Sequence, residues 1–376
     1  MKFIVKKDDL YSGIKIVERA TSVKALQPVL MNIFIETIGK STVRLVATDL
    51  DCTIIAEVDA QVEEEGKITV PSKILNDIVS KLNDNLITIE TTEGQSIVNI
   101  TCQKSKFDVN GISANEFPQD FILSDVNEED EIEIDLKTFV KSVKQAGFAA
   151  ASVDTSNILS GIVCNISENL LEIASTDGNR LARYRDTIEN KNKKSKLLII
   201  PSKILNEVIK MSSFIDEDTI KIYSRESKII IKTNKTTTVS RLLDGQYPKY
   251  NMLIPENNPK IAKVNVSQLI SALERASVMV NEKTNIVCLT LADNNMKLEA
   301  NTPNSGKFED DIDIDYTDEK LTIAFNYKYV LEVLKNIDSD NVKIEMNTPL
   351  SATVFRPDSD EDFICIIMPV QINNNF

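Results

Sequence analysis

Hydrophobic positions in this chain follow two spacings, and the two take turns along its length. Leu10, Ile14, Ile16 and Val17 fall close to the i, i+3, i+4, i+7 pattern of one helix face, as do Leu136, Phe139, Val140 and Val143, and Leu269, Ile270 and Leu273. β-branched runs broken by Gly, Asn and Asp follow each of them; Ile33 to Ile38, Val43 to Ala47 and Cys52 to Val58 read as strands. A second helix is predicted from Pro71 and again from Pro201, where proline suits the first turn and the adjacent serine is placed to cap. Leu86 to Thr91, Ile97 to Cys102, Thr219 to Ser224 and Lys228 to Thr233 read as closing strands.

The pattern is a repeat. Val70-Pro71-Ser72-Lys73-Ile74-Leu75-Asn76-Asp77 returns as Ile200-Pro201-Ser202-Lys203-Ile204-Leu205-Asn206-Glu207, and more loosely as Phe325-Asn326-Tyr327-Lys328-Tyr329-Val330-Leu331-Glu332. Ala47-Thr48-Asp49 matches Ser175-Thr176-Asp177 and Asn301-Thr302-Pro303, and Glu116-Phe117-Pro118 matches Gln246-Tyr247-Pro248. The period of about 125–130 residues is domain-sized rather than that of a solenoid. Three α+β units are therefore expected, over 1–125, 126–256 and 257–376, each with two helices packed on antiparallel sheet. Linkers are expected near Ser124 to Asp130 and Pro255 to Pro259.

Composition narrows the chemistry. Histidine is absent from the 376 residues, which removes Ser-His-Asp and Cys-His nucleophiles and His-ligated zinc. Cys52, Cys102, Cys164, Cys288 and Cys365 stand apart in apolar stretches and read as buried reduced thiols. The apolar run after Met1 is far too short for a signal peptide, and no stretch approaches a membrane span, so a cytoplasmic place is expected.

The net charge of -14 argues against a polyanion partner until its distribution is read. Lys137, Lys141 and Lys144 share one helix face; Lys203 and Lys210 repeat at i+7, as do Lys328 and Lys335; the first unit offers Lys73 and Lys81, with Lys6, Lys7, Lys15 and Arg19 around its first helix. Acid collects in strand and loop segments such as Glu63 to Glu65, Glu309 to Asp315 and Asp358 to Asp362. On any one helix such lysines are ordinary solvated residues. Repeated on equivalent helices, without base-reading clusters, they point to sequence-independent, salt-sensitive contact with phosphates.

From end to end the chain resembles the bacterial DNA polymerase III beta-subunit family of DNA sliding clamps. The segments that carry the likeness are Leu26-Gln27-Pro28-Val29-Leu30, Ala47-Thr48-Asp49-Leu50, Val70-Pro71-Ser72-Lys73, Ser175-Thr176-Asp177-Gly178-Asn179-Arg180-Leu181-Ala182, Leu243-Asp244-Gly245-Gln246-Tyr247-Pro248, Asn281-Glu282-Lys283 and Met368-Pro369-Val370. The resemblance implies a head-to-tail homodimer closed into a ring around double-stranded DNA, the lysines above and Lys24 facing the duplex. Its partners would be DNA polymerase III subunits, the clamp loader and other proteins with a clamp-binding motif, at the nucleoid, with no cofactor, metal or catalytic residue. It implies a peptide pocket between the second and third units, with Thr176, Gly178, Asn179, Arg180 and Leu181 on one wall. Leu159, Pro248, Leu253, Ile366 and Met368 would complete that pocket, and Leu350, Pro369 and Val370 the adjoining groove. It implies a protomer contact of Phe107 and Val109 with Val278 and Met279, with Lys104 and Lys106 facing Glu309, Asp310 and Asp311. Two departures stand out: Asn179 where many relatives carry His, and the tail Gln371 to Phe376, which either is disordered or folds Ile372 and Phe376 toward the pocket.

Two other classes compete. A metal-dependent phosphoesterase would use Asp49, Asp51 and Asp177, although the third copy has Pro303 at the matching position. A repeat-built adaptor would keep the pocket and never encircle DNA.

Overall fold

In each third of the chain one strand and a helix are followed by four strands, a second helix and three strands. The computed structural model describes residues 1–22, 26–83, 85–91, 96–119, 131–152, 158–190, 193–225, 227–302 and 306–372. The first series is β1 (Lys2–Lys6), α1 (Lys7–Val17), β2 (Asn32–Ile38), β3 (Thr42–Thr48), β4 (Cys52–Glu64), β5 (Lys67–Pro71), α2 (Ser72–Lys81), β6 (Leu86–Thr91), β7 (Ile97–Cys102) and β8 (Ser105–Asn110). The second is β9 (Ile132–Asp135), α3 (Leu136–Gly147), β10 (Gly161–Ile166), β11 (Leu170–Thr176), β12 (Arg180–Thr187), β13 (Lys196–Pro201), α4 (Ser202–Met211), β14 (Thr219–Arg225), β15 (Lys228–Lys232) and β16 (Thr236–Arg241). The third is β17 (Lys260–Asn265), α5 (Val266–Ser277), β18 (Ile286–Ala292), β19 (Asn295–Thr302), β20 (Gly306–Asp313), β21 (Leu321–Asn326), α6 (Tyr327–Lys335), β22 (Asn341–Met346), β23 (Thr353–Pro357) and β24 (Ile364–Ile367).

The sheets do not stop where the repeats do. β16 pairs antiparallel with β4, Ser240 opposite Cys52 and Thr236 opposite Ala56, which fuses strands of the first and second repeats into one twelve-stranded sheet. β12 pairs in the same way with β24, Arg180 opposite Ile367 and Arg183 opposite Ile364, which gives an eight-stranded sheet ordered β13-β10-β11-β12-β24-β23-β22-β17. A four-stranded sheet, β20-β19-β18-β21, completes the third repeat. The middle repeat is thus shared out, and the compact units number two. One is Met1–Val140 with Asn190–Lys194 and Lys203–Leu242; the other is Lys141–Glu189 with Ser195–Ser202 and Leu243–Phe376.

Within the first unit, α1 buries Leu10, Ile14 and Val17 and packs on β4 and α2. Gly13 allows that approach: a Cβ there would lie 2.7 Å from a Val58 methyl and 2.9 Å from one of Leu45. Arg19, just past α1, reaches Glu207 on α4 at 3.2 Å, and Lys203 at the start of α4 reaches Asp49 at 2.6 Å. In the second unit α5 buries Leu269, Ala272 and Leu273 and packs on α6 and β20.

One local expectation fails. Ser72 does not cap α2: Pro71, still in the strand, is the N-cap, Ser72 is the first helical residue, and no side chain closes the N-terminus. The third repeat caps with asparagine, Asn265 accepting from Gln268 N–H at 3.0 Å and Asn326 from Lys328 N–H at 3.1 Å. The expected linker Ser124 to Asp130 lies outside the described residues.

All five cysteines are buried and free. Burial pushes the Cys52 and Cys164 thiols up to about 12 and Cys288 to about 11. A raised thiol pKa favours the fold only while the group is protonated, so this stabilisation is complete below the unfolded value and is lost as pH climbs from there toward the folded one. The expected outcome is that no thiol reacts with a disulfide reagent at pH 8 in native buffer and all five react in urea; one fast native thiol would mean that its strand is open.

Candidate functional site

Alternation along β12 sends successive side chains to opposite faces of the eight-stranded sheet. Leu181 stands opposite Ile366 of β24, and Ile366 opposite Val354 of β23. With Val163, Ala174 and Ile364 they form a buried apolar floor, onto which Tyr247, Tyr250 and Ile254 pack from the segment after β16. The Tyr247 hydroxyl accepts from the Thr176 N–H at 3.0 Å and donates to the Gly161 carbonyl at 3.3 Å, and burial pushes its phenol up to about 12. Tyr250 donates to Glu172 at 2.6 Å, and Arg185 binds the other carboxylate oxygen at 2.6 Å. Burial alone would raise Glu172, but these two partners hold its carboxyl below the usual range.

Around this floor large apolar side chains face water: Met252 is 78% exposed, Leu253 55%, Leu350 54% and Met368 45%. A cluster of that kind beside an apolar floor makes a candidate docking surface. Pro248 and Asn179 are exposed, Leu159, Pro369 and Val370 half-buried, and the Met368 N–H donates to the Asn179 carbonyl at 2.9 Å. The sequence reading missed Met252, Tyr247 and Tyr250 as cleft residues. Tyr247 carried a signal, since it repeats Phe117, which stacks on Phe34 with ring centroids 5.2 Å apart.

The turn between β11 and β12 sets one wall. Thr176 Oγ1 donates to the Arg180 carbonyl at 2.5 Å, and Asp177 accepts from the N–H groups of Asn179 (2.9 Å) and Arg180 (3.1 Å). Gly178 takes φ +91°, where a Cβ would be strained. Arg180 does not behave as a free wall residue. It is 8% exposed; its Nε donates to Asp177 at 3.1 Å, another nitrogen to the Phe148 carbonyl at 3.1 Å, and the third to Glu332 on α6. The Tyr329 ring centroid lies 4.5 Å from its guanidinium carbon. Arg180 therefore clamps the turn to α6 and positions the wall.

The helix lysines are solvent-facing on each helix. Lys73, Lys81, Lys137, Lys141, Lys144, Lys203, Lys210, Lys328 and Lys335 are all exposed, opposite the buried stripes. Lys203 and Lys210 are already ion-paired, with Asp49 at 2.6 Å and Glu207 at 2.8 Å, and Lys141 lies 5.2 Å over the Tyr184 ring. Lys24 lies outside the described residues, as do Asn373 to Phe376 of the tail.

Among the strands that end their sheets are β8 and β20. Val278 is 80% exposed, and Met279 and Phe107 are half-buried. Val109 is a correction: at 5% exposure it already belongs to the core and has little surface left to offer. Glu309 is ion-paired with Lys297 and Lys307, and Asp310 with Arg275. Ile74 on α2, 47% exposed, was overlooked.

Two of the three carboxylates of the phosphoesterase reading serve the backbone. Asp49 accepts from the N–H groups of Asp51 (3.2 Å) and Cys52 (2.8 Å), as Asp177 does in its own turn. Among the described residues no group of three or more His, Cys, Asp or Glu is placed to hold a metal ion, and no helix is long and apolar enough to cross a membrane.

Family models of the DNA polymerase III beta subunit match the chain three times: the N-terminal domain over residues 1–121, the central domain over 133–249 and the C-terminal domain over 251–371. The chain is 31% identical to the beta sliding clamp of Synechocystis sp. over 394 residues, covering 100% of both. Among solved structures it is similar to the DNA polymerase III beta subunit of Thermotoga maritima, with TM-score 0.92 at 25% identity, and to the DNA polymerase sliding clamp of Bacillus subtilis, with TM-score 0.90 at 27%. In each case 99% of this chain and 100% of the other are covered. The chain belongs to the DNA polymerase III beta-subunit family.

Replacing Arg180 by leucine leaves Asp177 and Glu332 without their shared cation. The expected loss is about 3 kcal/mol, the low end for a broken buried ion pair because Glu332 is half-exposed, read as a lower urea midpoint.

Proposed function

We propose that this chain is a DNA sliding clamp: it encircles duplex DNA without reading sequence, tethers the replicative polymerase and other partners through the cleft, and carries no catalytic site of its own. Three domains, over 1–125, 126–256 and 257–376, build each protomer, and two protomers close the ring in the cytoplasm at the nucleoid. The observation that carries this reading is that β8 and β20, both at sheet ends, are the equivalents of strands that join the repeats elsewhere. β16 and β24 occupy the place of β8 in their repeats, and β12 and β20 that of β4; β16 pairs with β4 and β12 with β24. One such join is left over, β8 with the β20 of a second copy. Two identical head-to-tail joins between two copies close a ring and leave neither of these edges free.

The register of β16 on β4, carried onto this third join, sets Phe107 opposite Phe308, Lys106 opposite Glu309, Lys104 opposite Asp311 and Asp108 opposite Lys307. The helices behind agree. Ile74 is the equivalent of Ile204, which is buried on α4, and Val278 is the equivalent of Arg19, which contacts α4 through Glu207. In the ring Ile74 and Val278 cover each other.

The helix lysines then face the duplex. Their contacts with phosphate are individually weak and cost counterions, which supports movement along DNA and loss of contact in salt. The cleft takes short peptides with Leu and Phe anchors.

The clamp loaded on nicked circular DNA is expected to stay bound through a salt wash and to leave when the circle is linearised. Equal retention on both substrates would favour the adaptor reading and sink this one. Lys106→Glu is expected to weaken the dimer about tenfold in sedimentation, with Glu309→Lys in the partner restoring part of it.

A further inference from the structure

Two residues along β12 from Leu181, on the same face of the sheet, stands Arg183, opposite Ile364 on β24. Arg356 is the next residue on that face of β23 after Val354, and Arg185 the next on β12. The apolar floor of the cleft thus runs directly into three guanidinium groups. Two of them are balanced: Arg185 by Glu172 at 2.6 Å, Arg356 by Glu345 at 3.0 Å. Glu172 is further committed to the Tyr250 hydroxyl. Arg183 has no carboxylate partner among the described residues. One of its terminal nitrogens reaches the exposed Asn251 carbonyl oxygen at 3.5 Å, the limit of a hydrogen bond, and its buried Nε has no acceptor at all. Burial first, then the charge of Arg185, holds this guanidinium below its usual range, with Arg356 adding to the effect. Glu172 offsets this only through space, and a half-buried cation with no ion pair of its own is an expensive arrangement for a chain of net charge -14, with acid in abundance elsewhere.

We propose that Arg183 is the specificity residue of a carboxylate subsite at the edge of the cleft, which selects partner peptides carrying Asp or Glu beside their apolar anchors. The inference rests on the cleft reading and deepens it. Arg183 presents its guanidinium at the end of an apolar groove, so a carboxylate delivered there by a docked peptide meets a partly desolvated donor, where a charge-assisted hydrogen bond is stronger than in water. A lysine in the peptide at that place meets three arginines and is rejected, which supplies discrimination by repulsion as well as by attraction. Arg185 and Arg356 each have a carboxylate within ion-pair distance, although the Arg356 Nε also lacks a hydrogen-bond acceptor, so the demand for a new counter-charge falls first on Arg183.

The test uses the full-length protein and fluorescence anisotropy with three labelled peptides that share Leu and Phe anchors and differ only in flanking residues, two aspartates, two serines or two lysines, each set made with the flank on either side. The aspartate peptide, in one of the two placements, is expected to bind about tenfold more tightly than the serine peptide, with the lysine peptide weakest. In Arg183→Gln that advantage disappears while the serine peptide binds as before, and Arg183→Lys retains part of it. Equal binding by all three peptides, or an advantage that survives in Arg183→Gln, overturns this inference and leaves the cleft standing. Absence of binding by every peptide overturns both. Should the glutamine variant fail to fold, the wild-type protein decides: the aspartate advantage must shrink several-fold between low and high salt, and an advantage indifferent to salt overturns the assignment.

Discussion

Everything in this architecture depends on main-chain pairing between the edge strands of neighbouring repeats. A sheet edge is a row of unmet N–H and C=O groups, and a soluble protein must cover it, blunt it or pair it. This chain pairs it twice within itself, β4 with β16 and β12 with β24. The geometry is antiparallel in both joins, so the repeats follow one another by one rule. The rule also explains why the compact units cut across the sequence repeat: each half of the middle repeat is bonded to a neighbour by a continuous hydrogen-bond ladder.

The same constraint separates the chemistry of the two faces. Arg180 and Leu181 are adjacent, yet one clamps the helix side through Asp177 and Glu332 and the other paves the apolar floor. A register slip of one residue would exchange them, putting a guanidinium in the cleft and a leucine against the carboxylates. The ladder of β12 on β24 thus sets which side chains a partner meets. Acid and base are divided in a related way, lysines outward on helices and acid concentrated on strands. Where the two touch, as in Lys203 with Asp49, they serve the join itself.

Much of this was legible in the chain. The repeat, the helices on their apolar stripes, the buried thiols and the Thr-Asp turn before β12 follow from periodicity and composition. What was not legible depended on tertiary contact. Ser72 looked like a cap because serine beside proline often is one, but the strand continues to Pro71 and brings it into the N-cap place. Val109 was assigned to the protomer contact by resemblance alone, yet it stands opposite Val98 and is buried by its own sheet. Arg180 read as a pocket residue because its motif said so; its partners on α6 and beside Phe148 are more than thirty residues away in either direction.

The two internal joins share a backbone and differ in what they can hold. Where the second join has Leu181, Ile366, Met368 and Gly178, the first has Thr53, Val239, Arg241 and Leu50 at the matching positions. A cavity lies there too, lined by Thr48, Leu50, Asp51, Thr53, Pro118, Lys228, Val239, Ser240 and Arg241. An apolar peptide anchor placed in it would strip water from hydroxyls and charges and return no hydrogen bonds, a penalty of about 1–3 kcal/mol for each group left unmet. The same anchor over Leu181 and Ile366 meets an apolar floor. Duplicated architecture therefore does not duplicate the binding function: the fold makes two clefts, and three or four side chains decide which of them a Leu or Phe will enter.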